Sequence, residues 1–365
     1  MVMYIPQQFL FNKAFGYDEV EKIRKPETRD IVKRLGVLSP DKVFLRNHPR
    51  ERPITIFNAS VYVDKRRYLA KVFARIILGY YMYISSIVEI NIPLDHVLSG
   101  TISRNKYMGH IVVYPSTKYD IWGVEDPRVY MINNKLYMTY TGRTKNYFSE
   151  ARYWKTVPVT AVNDSSRGWV KRYVITLEKN KFPHLISDKD AFFHITGDTT
   201  YFFHRPHLDN DGFHLLVSKI DSSLMSSTKD IKEIPVRYSI ELFAPAFFEK
   251  KIGWASAPIT LSSNRVLALL HGVDNDIEAY RVFATLLHIS KNEVTVEAVT
   301  PTYIMEPRES YEVIGDRPFV VFPCGLWRLN KEELLISYGA ADNFVGLGLI
   351  KLGEILGELD KGRIY

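Results

Sequence analysis

Apolar runs of four to seven residues recur along most of this chain, each stopped by a short polar turn. A helical period shows in one place, residues 17–37. There Lys25-Pro26 offers a start, Ile31, Val32 and Leu35 form an apolar stripe, and Gly36 can cap it, so a helix is expected. Beyond it the unit is strand–turn–strand. The turn Asp64-Lys65 precedes a run at 68–74 ending at Arg75. Asn133-Asn134 precedes 136–140, ending at Arg143, and Gly197-Asp198 precedes 200–203, ending at His204-Arg205. Ser263-Asn264 precedes 266–270, ending at His271-Gly272. Asn330-Lys331 precedes 334–338, followed by Gly339, Ala340 and, a little further on, Asp342. The turns begin 69, 64, 66 and 67 residues apart.

Five hairpins at a period near 66 residues predict a repeat architecture. That period accommodates a four-stranded blade with generous loops, and five blades close a ring. The expected fold is all-β: a five-bladed β-propeller over residues 51–365, with a short, partly helical N-terminal extension over residues 1–50 packing on it. A pair of β-sandwiches with coincidental spacing is the alternative. In a propeller the five polar strand ends, Arg75, Arg143, Arg205, His271 and Asp342, converge on one funnel. Otherwise they are five solvated strand tips.

Glu125-Asp126-Pro127-Arg128 stands out between a turn-rich segment and a strand-like one. Pro127 is expected to push Asp126 towards an extended conformation. Adjacent residues on an extended chain face opposite ways, so Glu125 and Asp126 are expected to differ in role, one facing a cleft and the other anchoring the loop. Arg128 is then placed on the side of Asp126, and a structural ion pair is the alternative to a functional carboxylate.

Composition narrows the function. The chain has 365 residues, 46% hydrophobic and 24% charged, with 23 Tyr and 20 Phe, which suits β structure and aromatic-lined clefts. Its single cysteine, Cys324, rules out an intrachain disulfide framework and a cysteine-based zinc site, and fits a cytoplasmic location. No signal peptide is expected from residues 1–6, and no membrane span from the apolar stretch 72–90, which contains Arg75. Net charge is +7, yet the only basic cluster is Lys65-Arg66-Arg67 at a turn. Nucleic acid is therefore not expected as a partner, whereas a small anion such as phosphate is an equally good use of the charge. No Gly-x-Gly-x-x-Gly opens a helix, no Walker A motif occurs, and no spaced metal-ligand set appears, so no cofactor or metal is expected.

The motifs together resemble those of glycoside hydrolase family 130, the mannoside phosphorylases and related β-mannosidases. Trp122-Gly123-Val124-Glu125-Asp126-Pro127-Arg128-Val129-Tyr130 with Tyr137-Met138-Thr139-Tyr140-Thr141-Gly142 is similar to the family signature. Ser187-Asp188-Lys189-Asp190 leading to His204-Arg205-Pro206, then His271-Gly272-Val273-Asp274 with Tyr280-Arg281, resemble its cation-bearing blade and histidine–glycine loop. Tyr311-Glu312, Val321-Phe322-Pro323-Cys324-Gly325 and Tyr338-Gly339-Ala340-Ala341-Asp342 resemble the last blade. The match runs over about residues 55–350, in order and phase.

The resemblance implies a five-bladed propeller and an inverting β-mannoside phosphorylase. Inorganic phosphate, the co-substrate, attacks the anomeric carbon to give α-mannose 1-phosphate. One carboxylic acid, Asp126 by motif, protonates the leaving oxygen through a sugar hydroxyl. The resemblance also implies that Asn58, Arg75, Asp126 and Asp342 meet the sugar. Glu125 and Arg128 would support the Asp126 loop, and Lys189, Arg205, His271 and Tyr280 would hold phosphate. Thr260 departs from the pattern, following Pro258-Ile259 where many phosphorylases carry a lysine. That departure leaves open a β-mannosidase using water; a non-catalytic sugar-binding propeller is the third reading. Tyr119, Asp120 and Trp122 form a cleft wall or ordinary core, and Glu312 lines the cleft or caps a turn. The expected partners are a mannose-containing oligosaccharide and phosphate, with a homo-oligomer left open.

Overall fold

The structure, a computed structural model, describes residues 10–209, 212–225, 230–291 and 293–365. Residues 1–6, read above for a leader, lie outside them. Five antiparallel blades surround one axis. Their inner strands are Thr55–Asp64, Val124–Ile132, Leu185–Thr196, Glu249–Trp254 (continued by Ile259–Thr260) and Val321–Arg328. Each packs on the next round the ring. Each descends from one face, turns at a hairpin, and is paired by a returning strand: Leu69–Ile77, Lys135–Arg143, Thr199–Leu208, Arg265–Asp274 and Glu333–Ala340. The five hairpin turns are the five that the spacing located.

Hydrogen bonds between blades tie the axis. Ser60 Oγ in blade 1 accepts from the Val129 amide of blade 2 at 2.9 Å, and Ser337 Oγ in blade 5 donates to the Ala59 carbonyl at 2.7 Å. Arg128 of blade 2 donates to the Trp254 and Ala255 carbonyls of blade 4 at 2.8 and 2.7 Å. Ser60 and Ser337 are wholly buried. Ser60→Ala strands a buried amide and is expected to cost roughly 1–2 kcal/mol. A urea midpoint lowered at unchanged slope checks this.

The N-terminal segment differs from expectation. Among its described residues, α-helix is confined to Tyr17–Ile23, with one 3-10 turn at Pro40–Lys42. Val32, whose place in the stripe suggested a helix, is buried instead just before the strand Lys33–Leu38, which pairs antiparallel with Phe344–Lys351 as the outer strand of blade 5. Val43–Leu45 adds a parallel outer strand to blade 1, and Asn12–Lys13 one to blade 3. Tertiary pairing thus overrides a weak local helical pattern. The segment does more than rest on the propeller: its strands complete three blades, and one of them joins the first part of the chain to the last blade. Arg24 anchors it, donating to Glu249 Oε1 at 2.8 Å and the Thr300 carbonyl at 3.0 Å, beneath the Phe283 ring. Among the described residues no helix is long and apolar enough to cross a membrane.

Candidate active site

One face of the ring opens into a cavity of about 700 Å³ on the axis. All five polar positions picked out at the returning strands line it: Arg75, Arg143, Arg205, His271 and Asp342. Asn58, Glu125, Asp126, Lys189 and Tyr280 line it too. Arg128 does not; it is fully buried beneath the floor.

A repeated backbone device aims the inner-strand groups. In blades 1, 2 and 3 the register shifts between Phe57 and Ser60, Glu125 and Arg128, and Lys189 and Phe192. At each bulge one residue is left-handed: Asn58 (φ 47°), Asp126 (φ 52°) and Asp190 (φ 55°). Asn and Asp are the non-glycine residues that best tolerate this region, and bulges re-aim side chains. Asp126 is therefore not extended, contrary to the expectation from Pro127. The bulge turns Glu125 and Asp126 to the same cavity, and both meet Arg75: Nη2 lies 3.2 Å from Glu125 Oε1 and Nη1 3.1 Å from Asp126 Oδ1.

The two carboxylates nevertheless differ. Glu125 Oε1 takes Arg143 Nε at 2.7 Å and the Tyr147 hydroxyl at 2.8 Å, while Oε2 takes Lys189 at 3.3 Å. Burial alone would raise its pKa, but the charges of Arg75, Lys189 and Arg143 outweigh this and hold it well below the usual range. Glu125 is a fixed anion. Asp126 Oδ1 accepts from Asn58 Nδ2 at 2.7 Å and from Arg75, whereas its Oδ2 accepts nothing from the described residues. Arg128 reaches only the Asp126 carbonyl, at 3.1 Å, and spends Nη2 on Asp190 Oδ1 at 3.0 Å. Asp342, at φ 51° on the turn between Glu333–Ala340 and Phe344–Lys351 in blade 5, has its carboxyl pushed up to about 6 by burial, with Arg75 opposing and Asp126 adding to the shift.

Across the cavity lies a group of cations. Arg205 donates Nε to Asp190 Oδ2 at 2.6 Å, its one hydrogen bond among the described residues, so both Nη groups remain for a ligand. Burial lowers His271 to about 3, with Asp190 opposing and Arg205 adding, so the imidazole is neutral; Nε2 lies 3.6 Å from Asp190 Oδ2, and neither ring nitrogen has a hydrogen-bond partner among the described residues. An unpaired buried donor in a cavity wall calls for a ligand. Lys251 lines the same wall without an ion pair among the described residues. Burial and then the charges of Arg205 and Arg317 bring it down to about 8. The close approach depends on Gly253: a Cβ there would stand 2.5 Å from Asp190 Oδ2 and 2.6 Å from His271 Cε1. Lys189, the cross-strand partner of Arg205, reaches over to Glu125 Oε2 at 3.3 Å.

One sequence assignment changes, and two that were left open take one of their alternatives. Thr260 is nowhere near the cavity; it lies at the hairpin end of blade 4, against Val266, beside a depression lined by Asn133 and Gly197. Glu312 does not line the cleft but accepts from Arg34, Tyr338 and the Arg308 and Glu309 amides, closing a helix cap. Asp120 is wholly buried, taking the Tyr140 hydroxyl and the Thr117 amide, and neither Tyr119 nor Trp122 lines the cavity. Lys251, Arg317 and Tyr147 were missed. Lys251 had a signal: on an extended strand it shares a face with Gly253, two residues on, and that face meets the cation group.

Carboxylate and cation walls thus face each other across the axis of a five-bladed propeller. The profile described as beta-1,4-mannooligosaccharide phosphorylase matches residues 22–361, and the chain belongs to that family, glycoside hydrolase family 130. It is 32% identical over 237 residues to the beta-1,2-mannobiose phosphorylase of Thermoanaerobacter sp. strain X514, covering 65% of this chain and 69% of that one. It is 25% identical over 246 residues to the 1,2-beta-oligomannan phosphorylase of the same strain, covering 67% and 73%. Its fold is similar to the beta-1,2-mannobiose phosphorylase of Listeria innocua solved with beta-1,2-mannobiose: TM-score 0.68, 18% identity, 90% of this chain and 99% of that one.

Proposed function

We propose that the protein is an inverting β-mannoside phosphorylase with Asp126 as its general acid and inorganic phosphate as its nucleophile. The observation that carries this is the pairing of one carboxylate oxygen left free, Asp126 Oδ2, with an opposed wall where Arg205 keeps both Nη groups unbonded among the described residues and Lys251 has no ion pair among them. Asn58 and Arg75 fix the other oxygen and so orient the acid. The mannosyl unit sits between, over Asp342 and Arg75. The Oδ2 proton passes to the leaving oxygen through a sugar hydroxyl. The glycosidic C–O bond breaks as a phosphate oxygen bonds to the anomeric carbon from the other face, giving α-mannose 1-phosphate.

Phosphate is already an anion and needs no base; it needs to be held in line. Arg205 offers a planar fork, Lys251 a point charge, and neutral His271 and Tyr280 one hydrogen bond each. Glu125 cannot serve as a base, being saturated by four cationic or hydroxyl donors. The one feature that favoured water, Thr260, lies outside the site.

The pH dependence tests the anion site. Lys251 is charged below about 8 and loses its proton above it. The value of kcat/KM for phosphate reports the free enzyme, so it should fall through a pKa near 8, with a flat profile for Lys251→Arg. An alkaline limb that survives in Lys251→Arg would remove Lys251 from the phosphate site.

A further inference from the structure

Five aromatic side chains gather at the mouth of the cavity, and only Tyr147 among them, through its hydroxyl on Glu125, enters the reaction just described. They come from the loop between Leu69–Ile77 and Ser85–Pro93 of blade 1 and the loop between Lys135–Arg143 and Thr156–Asp164 of blade 2. Tyr147 is rooted in the site through its hydroxyl on Glu125. Its ring lies edge-on to Tyr83 at 6.2 Å, and Tyr83 edge-on to Tyr80 at 6.0 Å. Beside them Tyr81 and Phe148 lie 6.0 Å apart. Tyr83, Tyr147 and Phe148 line the cavity, while Tyr81 is 84% exposed and Phe148 69% exposed. Large apolar rings this bare, gathered at the rim of a cavity, mark a binding surface.

Their position round the ring says what they bind. In a closed ring of five, the boundary between blades 1 and 2 stands opposite blade 4. Blade 4 carries Lys251, His271 and Tyr280. Inversion requires nucleophile and leaving group on opposite sides of the anomeric carbon. With phosphate on the blade 4 wall, the leaving sugar points to the blade 1–2 wall, and any further sugars continue over the aromatic rim.

We propose that Tyr81 and Phe148 form a stacking platform for the second and third sugars on the leaving side, making this a phosphorylase of oligosaccharides in preference to disaccharides. The proposal rests on the reading of the site given above. Sugar rings present flat C–H faces that stack on exposed aromatic rings, burying apolar area while their hydroxyls stay in water. The occupant is thus the reducing-end extension of the same β-mannoside that the cavity cleaves.

The test compares a β-mannobiose with the matching β-mannotetraose, both with inorganic phosphate, in the wild-type chain and in Tyr81→Ala, Phe148→Ala and Tyr81→Phe. Neither residue is bonded to Glu125, Asp126 or a cation. The expected result is a KM for tetraose at least about fivefold below that for biose in the wild type. Either alanine variant should erase most of that gap with biose kinetics unchanged, and Tyr81→Phe, which keeps the ring, should restore it. Equal KM values for the two substrates in the wild type, or a gap untouched by both alanine variants, overturn the platform and leave the phosphorylase intact. A lower assembly mass for Tyr81→Ala in sedimentation, with the chain-length gap unchanged, assigns the patch to contact between copies and also overturns it. Cleavage of neither substrate with phosphate refutes the phosphorylase reading, and the platform with it.

Discussion

Asp126→Asn is expected to leave the fold intact and to lower turnover on unactivated mannosides by at least about a hundredfold. The substitution is close to isosteric. The new amide oxygen still accepts from Asn58 and Arg75, so the bulge at φ 52° and the Arg75 bridge survive. What disappears is the carboxyl function at Oδ2, the one carboxylate oxygen of the pair that no described residue engages. Glu125, beside it, cannot take over: it is held ionised by Arg75, Lys189 and Arg143. Substrates with a good leaving group, which need no acid, should lose far less. Near-normal rates on unactivated mannosides in a folded Asp126→Asn protein would exclude Asp126 as the acid.

Arg205→Ala is expected to raise the apparent KM for phosphate by roughly ten- to a hundredfold, the worth of a charge-assisted hydrogen bond or two. The KM for the mannoside should move by no more than about threefold, because Arg205 lies on the cation wall and bonds only Asp190. Asp190 keeps Arg128 at 3.0 Å, so the floor does not lose its only counter-ion. Initial rates over a grid of phosphate and mannoside concentrations separate the two constants. An equal rise in both would mean that Arg205 holds the floor together and does not hold phosphate.

The hairpin spacing carried most of the fold because a propeller repeats one turn chemistry at each blade. Polar turn residues mark each place where the inner strand reverses, as at Asn133-Asn134, both left-handed in the structure. The site was legible for a related reason. Returning strands end at equivalent places, so Arg75, Arg143, Arg205 and His271 could be grouped before any contact was known. The bulges were not legible. Pro127 argues locally for an extended Asp126, and only inter-blade packing makes the left-handed turn the better solution. Lys33–Leu38 read as helix for the same reason: its partner, Phe344–Lys351, lies some 300 residues away. Thr260 was placed by motif at a strand whose end the sequence could not orient, and the lysine that serves the cavity, Lys251, sits earlier on the same blade. The aromatic rim belongs to loops, which carry no period to read.

The most direct measurement of the central claim is product identity. The protein is incubated with β-mannobioses at equal concentrations, with and without inorganic phosphate, and the products are resolved by NMR. The account predicts α-mannose 1-phosphate in the presence of phosphate and almost no cleavage without it. Free mannose released at an undiminished rate in phosphate-free buffer would contradict it and make water the nucleophile.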